Sequence, residues 1–238
     1  MGRVVASSLV APILAPQSSC LEILGSSSNL IWIAVDGRAI TIQTASPGNL
    51  RALPTSIFLP ASTNLLTTQI GLIGGRLALD DRPLEVIRWW RPPRAPIAAS
   101  KLAFTDPPQV ERLLGRGSGL TPEGDDILAG WLVMARSIRH PSFSSVLTEI
   151  SRTSQMKTST FSTSLLLHAA AGYGVSPLIA YVTALLQNSK SALAKREALT
   201  RVGHTSGDAL AIGVELAAGL AAVEVPSIKI SNQERAIA

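Results

Sequence analysis

Residues Gly115–Ala135 read GRGSGLTPEGDDILAGWLVMA, a glycine-rich loop that leads into a long apolar run. The glycines of the loop permit positive φ angles and close approach to a ligand. Thr121 suits an N-cap, and Pro122 suits the first helical position, where no N–H is needed. The run that follows is apolar or glycine on every face, which is typical of a buried helix. The stretch therefore predicts a central helix whose start faces an internal cleft or a subunit junction.

Three acidic residues, Glu123, Asp125 and Asp126, crowd the predicted first turn. The positive end of the helix dipole favours a carboxylate there, but three carboxylates repel one another. The excess indicates a bound cation, a donor-rich substrate or a basic partner. The alternative is a well-capped core helix preceded by a glycine-rich connector, and the residue types alone leave both open.

A second stretch, GHTSGDALAIG over residues 203–213, repeats this arrangement of small and hydroxyl residues before Gly-Asp and an apolar helix. The same spacing separates Gly124 from Gly130 and Gly207 from Gly213. We expect the two helix starts to converge on one site, with Gly130 and Gly213 allowing close helix packing. Two similar helix caps in one bundle would produce the same pattern.

The chain has 238 residues, of which 46% are hydrophobic and 16% charged, with a formal net charge of +5. This composition is enough for a large buried core. The basic residues are scattered and lack the interleaved aromatic residues of single-strand binders, so we expect no nucleic-acid partner. A single cysteine, Cys20, excludes an intramolecular disulfide and suits a cytoplasmic protein.

Two apolar stretches resemble a signal peptide and a membrane-spanning segment, respectively. Pro12 and Pro16 interrupt the first, so we expect a strand and a turn there instead of a signal peptide. The second, residues 158–189, has no charged residue, but Gly172, Gly174 and Pro177 split it into pieces shorter than a membrane span. We therefore expect buried helices and no membrane association.

The sequence pattern changes from strand-like to helical at a proline-rich linker, residues 91–96. Before it, short apolar runs alternate with turn residues, and Asp36-Gly37 between two such runs predicts a hairpin. After it, the pattern is helical, with the two motif helices expected at 122–139 and 208–223. The sequence predicts an α+β fold in which a small β-barrel or sandwich, residues 1–95, precedes an α-helical bundle, residues 96–238.

Several groups near the motifs could carry chemistry. The loop 115–121 offers backbone N–H groups, hydroxyls and Arg116, which suit phosphate or a carboxylate. Asp125 and Asp126 could hold Mg²⁺ or accept N–H bonds from an amide or ureido group, and we favour the second use. His204 could act as an acid, a base or a donor. His168, in a run of leucines and alanines, is either a ligand-binding residue or a satisfied core residue.

The two motifs and the segment between them resemble a known bacterial family. The pattern GSGLTPEGDDILAG, followed by TFSTSLLLHAAAG and GHTSG, is similar to the AllH-like family, formerly a domain of unknown function. The resemblance covers about residues 102–222. It implies a cytoplasmic subunit of oxamate carbamoyltransferase in allantoin breakdown, a hetero-oligomer with the other subunits of that enzyme. The implied reaction converts N-carbamoyl-oxamate (oxalurate) and phosphate into oxamate and carbamoyl phosphate.

On this interpretation, the predicted catalytic residues are Asp125, Asp126 and His204. The predicted residues for binding a small anionic or ureido substrate are Arg116, Gly117, Ser118, Gly119, Thr121, Gly124, His168, Thr205, Ser206 and Asp208. The sequence establishes no cofactor; Mg²⁺ is a candidate, and Asp125 and Asp126 would be its ligands. The alternative function is a non-catalytic assembly or anion-sensing subunit.

Overall fold

The computed structural model describes residues 2–14, 20–44, 52–65, 68–98, 102 and 104–220. The first half of this part of the chain forms eight strands. They are β1 (Gly2–Ser7), β2 (Leu21–Ser27), β3 (Leu30–Val35), β4 (Arg38–Gln43), β5 (Ser56–Phe58), β6 (Ile70–Ile73), β7 (Arg76–Leu79) and β8 (Arg82–Trp90).

The strands form one barrel-like sheet in the order β2-β3-β4-β5-β1-β8-β7-β6. Neighbours are antiparallel except for the pairs β1–β8 and β4–β5, which are parallel. The predicted hairpin is β3–β4, and its two-residue turn has positive φ at Asp36 (48°) and Gly37 (74°). This geometry matches the right-handed twist of the two strands. The inward side chains of the sheet form their own core, with Ile33, Ile40 and Ile57 fully buried.

The second half of the described chain is helical, so the predicted α+β class is confirmed. The helices are α1 (Val110–Leu113), α2 (Glu123–Ile138), α3 (Phe143–Lys157), α4 (Thr160–Ala170), α5 (Ser176–Leu186), α6 (Ala192–Thr200) and α7 (Ser206–Ala218). None of them is long and apolar enough to cross a membrane, within the residues that the structure covers.

Helix α2 is the centre of the helical part. All residues from Gly124 to Ala135 are buried, as the all-round apolar pattern predicts. Helix α7 crosses it at backbone contact. A Cβ at Gly130 would lie 2.1 Å from the Leu210 carbonyl oxygen, and a Cβ at Gly213 would lie 2.0 Å from that of Ile127. The prediction that these two glycines allow close packing is confirmed.

The ends of the motif helices differ slightly from the predicted ones. Helix α2 begins at Glu123, and its N-cap is Pro122 without a side-chain capping bond, so Thr121 is not the N-cap. Helix α7 begins at Ser206, earlier than expected, and ends at Ala218, because Gly219 adopts a left-handed conformation with φ 64°. Residues 221–223, which the prediction included in this helix, lie outside the described residues.

Candidate functional site

A cavity of about 260 Å³ lies between the sheet and the helices. Strand β3 contributes Leu30 and Trp32, and the chain before β5 contributes Leu53 and Pro54. The remaining walls come from the starts of α2 and α7, one face of α4, the loop before α5, and Leu178 of α5. The cavity therefore depends on both halves of the fold, and both motifs reach it.

Asp126 is the only acidic residue among the described residues that line the cavity. It is 7% exposed, and its Oδ2 has no hydrogen-bond partner in the described part of the chain. Burial raises the pKa of Asp126 from 3.8 to about 7; the Ser206 hydroxyl partly offsets this rise, and the charges of Asp125 and Glu123 add to it. An unpartnered buried carboxyl oxygen costs free energy unless something hydrogen-bonds to it. Asp126 therefore has capacity for one more donor.

Asp125 has the opposite environment, although it is adjacent in the sequence. It is 2% exposed, and its Oδ1 accepts a hydrogen bond from the Gly115 backbone N–H at 2.7 Å. Its Oδ2 accepts hydrogen bonds from the hydroxyls of Ser162, at 2.6 Å, and Thr158. Both oxygens are thus engaged by the protein. In this arrangement Asp125 joins the glycine-rich loop to the start of α4.

The glycine-rich loop folds back over the start of α2. Gly115, Gly117 and Gly119 all have positive φ (76°, 115° and 89°), as expected for this loop. A Cβ at Gly117 would lie 2.7 Å from the Glu123 nitrogen. The Gly124 N–H donates to the Arg116 carbonyl at 2.9 Å, so the loop uses one of the free donors of the helix start.

The exposed part of the loop, residues 116–119, does not line the cavity, whereas Leu120 and Thr121 do. Gly124 is buried against a backbone: a Cβ there would lie 2.0 Å from the Leu113 carbonyl oxygen. The predicted binding residues of this motif are thus divided between the cavity wall, the exposed loop and a packing contact.

The second motif contributes fewer groups to the cavity. Gly203 and Ser206 line it, whereas His204 and Thr205 are exposed and are not among the lining residues. Asp208 has a side chain that is 59% exposed, and it lies 3.5 Å from Arg196, away from the cavity. The two helix starts therefore meet at the cavity through Asp126 and Ser206. Asp125 and Asp208 follow the matching glycines of the two motifs, but Asp125 is buried and Asp208 is exposed.

This helical segment is also the part of the chain that matches a known family. Residues 113–218 match the family model described as oxamate carbamoyltransferase subunit AllH. Over this segment, the chain is therefore similar to the AllH family. The match begins at the last residue of α1 and ends at the last residue of α7, so it includes both motifs and excludes the sheet. No solved structure matches the chain.

His168 lies within the AllH-like segment but outside the cavity lining. Its Nδ1 lies 2.6 Å from the Ser164 carbonyl oxygen, one turn earlier in α4, and must donate because a carbonyl can only accept. Burial lowers the pKa of His168 and the bond to Ser164 partly opposes this, so the neutral ring is favoured. These contacts are those of a satisfied helix residue.

Metal-binding geometry is not evident near Asp126. In the described part of the chain, no three His, Cys, Asp or Glu side chains are arranged to hold a metal ion. Both oxygens of Asp125 already accept hydrogen bonds from Gly115, Thr158 and Ser162, so of the two predicted Mg²⁺ ligands only Asp126 has an oxygen without a protein partner.

Some residues of the site were not anticipated from the sequence. Thr158, Ser159 and Ser162 fix the loop: besides the bonds to Asp125, the Ser159 hydroxyl donates to the Leu120 carbonyl at 2.6 Å. The run of hydroxyl residues from 158 to 164 was the available signal. By contrast, Trp32 has no such signal, because only the fold brings strand β3 to the cavity.

Proposed function

We propose that the chain is a subunit of a carbamoyltransferase complex that acts on oxalurate and phosphate to give oxamate and carbamoyl phosphate. The family's description, oxamate carbamoyltransferase subunit, supports the reaction class. The observation that carries the proposal for this site is the unpartnered Oδ2 of Asp126, buried beside Ser206 where the two motif helices begin.

The proposed chemistry needs a group that accepts N–H bonds and can exchange a proton. A phosphate oxygen attacks the carbamoyl carbon, the bond from that carbon to the oxamate nitrogen breaks, and the nitrogen takes up the proton that phosphate loses. A carboxyl group with a pKa of about 7 is partly protonated near neutral pH, and such a group is suited to moving this proton. In this scheme Asp126 also accepts an N–H bond from the ureido group before transfer.

The two anionic groups need a cationic partner, and the described cavity wall includes no lysine, arginine or histidine. Loop residues 116–119 are exposed next to the wall residues Leu120 and Thr121 and include Arg116. Backbone N–H groups and a guanidinium suit phosphate or carboxylate. We therefore assign the anions to this loop and to the partner subunits, and the carbamoyl group to Asp126. Oriented donors at the carbonyl oxygen would stabilise the charge that develops during transfer.

The test is carbamoyl transfer by the reconstituted complex with its other subunits. We expect Asp126→Asn to reduce turnover by roughly a hundredfold or more, the size of effect expected for a lost acid–base group. The matched control is Glu123→Gln, which removes a half-buried carboxylate of the same helix turn and should leave turnover close to wild type. Full activity of Asp126→Asn in a correctly assembled complex would contradict the catalytic role and favour a non-catalytic assembly or anion-sensing subunit.

A further inference from the structure

Most of the cavity wall has no role in the proposed reaction. Besides Asp126, three residues with hydroxyl groups line the cavity (Thr121, Tyr173 and Ser206), and most of the remaining wall is hydrocarbon or aromatic, with Trp32, Phe161 and Leu178 as its larger side chains. The Trp32 and Phe161 rings meet edge to face with centroids 6.2 Å apart, so the two aromatic side chains form one continuous part of this wall. Oxalurate is small and polar and would leave these surfaces without a partner.

The charges of the cavity also disfavour an anion deep inside it. Within the described residues, the lining includes no lysine, arginine or histidine, and its one ionisable carboxyl group is Asp126. A carboxylate placed here would lose its hydration without a cation and would repel ionised Asp126. A neutral group with N–H donors meets neither penalty, because it can donate to Asp126 and keep its apolar part away from water.

We propose that the cavity binds neutral ureido or amide compounds with a hydrocarbon substituent, whose N–H groups donate to Asp126 and whose substituent lies among Trp32, Phe161 and Leu178. The assignment of the ureido group to Asp126 rests on the proposed function. The apolar substituent does not, since it follows from the wall residues alone. The inference thus broadens the substrate class of the site beyond oxalurate.

The test is calorimetric titration of the full chain with two ureas that share the donor group, phenylurea and N-carbamoylglycine. Burial of a phenyl ring is favourable and burial of an unpaired carboxylate is not, so we expect phenylurea to bind at least about tenfold more tightly. Equal or weaker binding of phenylurea would overturn the inference.

Variants locate the binding. Asp126→Leu keeps a side chain of similar size but removes the hydrogen-bond acceptor. It should weaken the binding of phenylurea by at least about tenfold, the loss expected when a buried donor is left unpaired. Ala169→Phe, on the α4 wall, should fill the cavity and abolish binding. Should that variant fail to fold, Trp32→Ala removes a wall instead and should also weaken binding. The control Leu193→Ala changes a side chain that is 69% exposed and should bind like wild type. Unchanged binding in the folded wall variants would also overturn the inference.

The two proposals fail separately. If the reconstituted complex converts oxalurate but the chain does not bind phenylurea, the apolar-ligand inference alone is wrong. If phenylurea binds and its binding depends on Asp126, but the complex forms no carbamoyl phosphate from oxalurate, the proposed reaction alone is wrong.

Discussion

Asp125 and Asp126 are neighbours in the sequence with opposite environments. Successive helix residues point about 100° apart, so one carboxylate turns towards Gly115 and the start of α4 while the other lines the cavity. The crowding of acids at this helix start indicated a special role, but residue types could not separate the two. The separation comes from the hydroxyl residues at 158–162, which satisfy Asp125 and leave Asp126 with an unpartnered oxygen.

The pH dependence of stability should distinguish the two acids. The pKa of Asp126 is raised from 3.8 to about 7 in the folded state. Its ionisation therefore lowers the free energy of unfolding as the pH rises from about 4 to 7, and the full loss is present above pH 7. At pH 8, Asp126→Asn should therefore unfold at a higher urea concentration than wild type. The corresponding gain in the free energy of unfolding is a few kcal/mol at most. This gain should shrink as the pH falls towards 4.

The matched variant is Asp125→Asn, which replaces a carboxylate that accepts three hydrogen bonds. It should lower the free energy of unfolding at pH 8 by about 1–3 kcal/mol, because bonds to a charged acceptor are lost or weakened. A stability gain for Asp126→Asn that stays constant across the pH range, or equal effects of the two substitutions, would contradict this division of roles.

The motif helices pack by contact between their backbones at glycine. At the α2–α7 crossing, Gly130 faces the Leu210 carbonyl and Gly213 faces the Ile127 carbonyl. The glycines near the two helix starts make the same kind of contact. A Cβ at Gly207 would lie 2.0 Å from the Leu199 carbonyl oxygen, and a Cβ at Gly124 would lie 2.0 Å from the Leu113 carbonyl oxygen. The sequence repeat is therefore also a repeat of packing: Gly124 and Gly207 each lie against a carbonyl of the preceding helix, and Gly130 and Gly213 each lie against a carbonyl of the other motif helix.

Alanine at Gly130 tests this packing. In an open helix, Gly→Ala stabilises by about 1 kcal/mol, but a methyl group 2.1 Å from a backbone oxygen forces the two helices apart. We expect Gly130→Ala to lower the free energy of unfolding by about 1–3 kcal/mol or more in urea titrations. The control is Gly71→Ala in β6, where nothing lies within 4 Å of the added carbon. Similar stabilities of the two variants would show that the crossing tolerates separation.

At the scale of the whole molecule, local patterns predicted the elements better than their arrangement. Turn residues and periodicity indicated the hairpin, the buried α2 and the change from strands to helices, because each depends on nearby residues. The parallel pairs β1–β8 and β4–β5 depend on long-range contacts and were not predicted. An internal cleft at the start of α2 was expected, but the wall that the sheet contributes was not, for the same reason: Trp32 and Phe161 meet across the boundary between the sheet and the helices.

That boundary contains one buried hydrogen bond whose loss should be measurable. The Ala39 N–H, in β4, donates to the Ser164 hydroxyl, in α4, at 3.1 Å, and both residues are buried. Ser164→Ala would leave this backbone donor without its partner and out of reach of water. The expected cost is about 1–3 kcal/mol in the free energy of unfolding, the penalty of an unsatisfied buried donor.

The unfolding of this variant also reports on how the two halves depend on each other. We expect the helical circular dichroism signal and the tryptophan fluorescence to shift to lower urea concentration together, because the lost bond joins the strand that neighbours Trp32 to the helix that contains Phe161. The control is Ser145→Ala on α3, whose exposed hydroxyl bonds only within its own helix start and should change little. If Ser164→Ala behaved like this control, the bond would not help to hold the cavity together, and the walls of the site would depend on apolar packing alone.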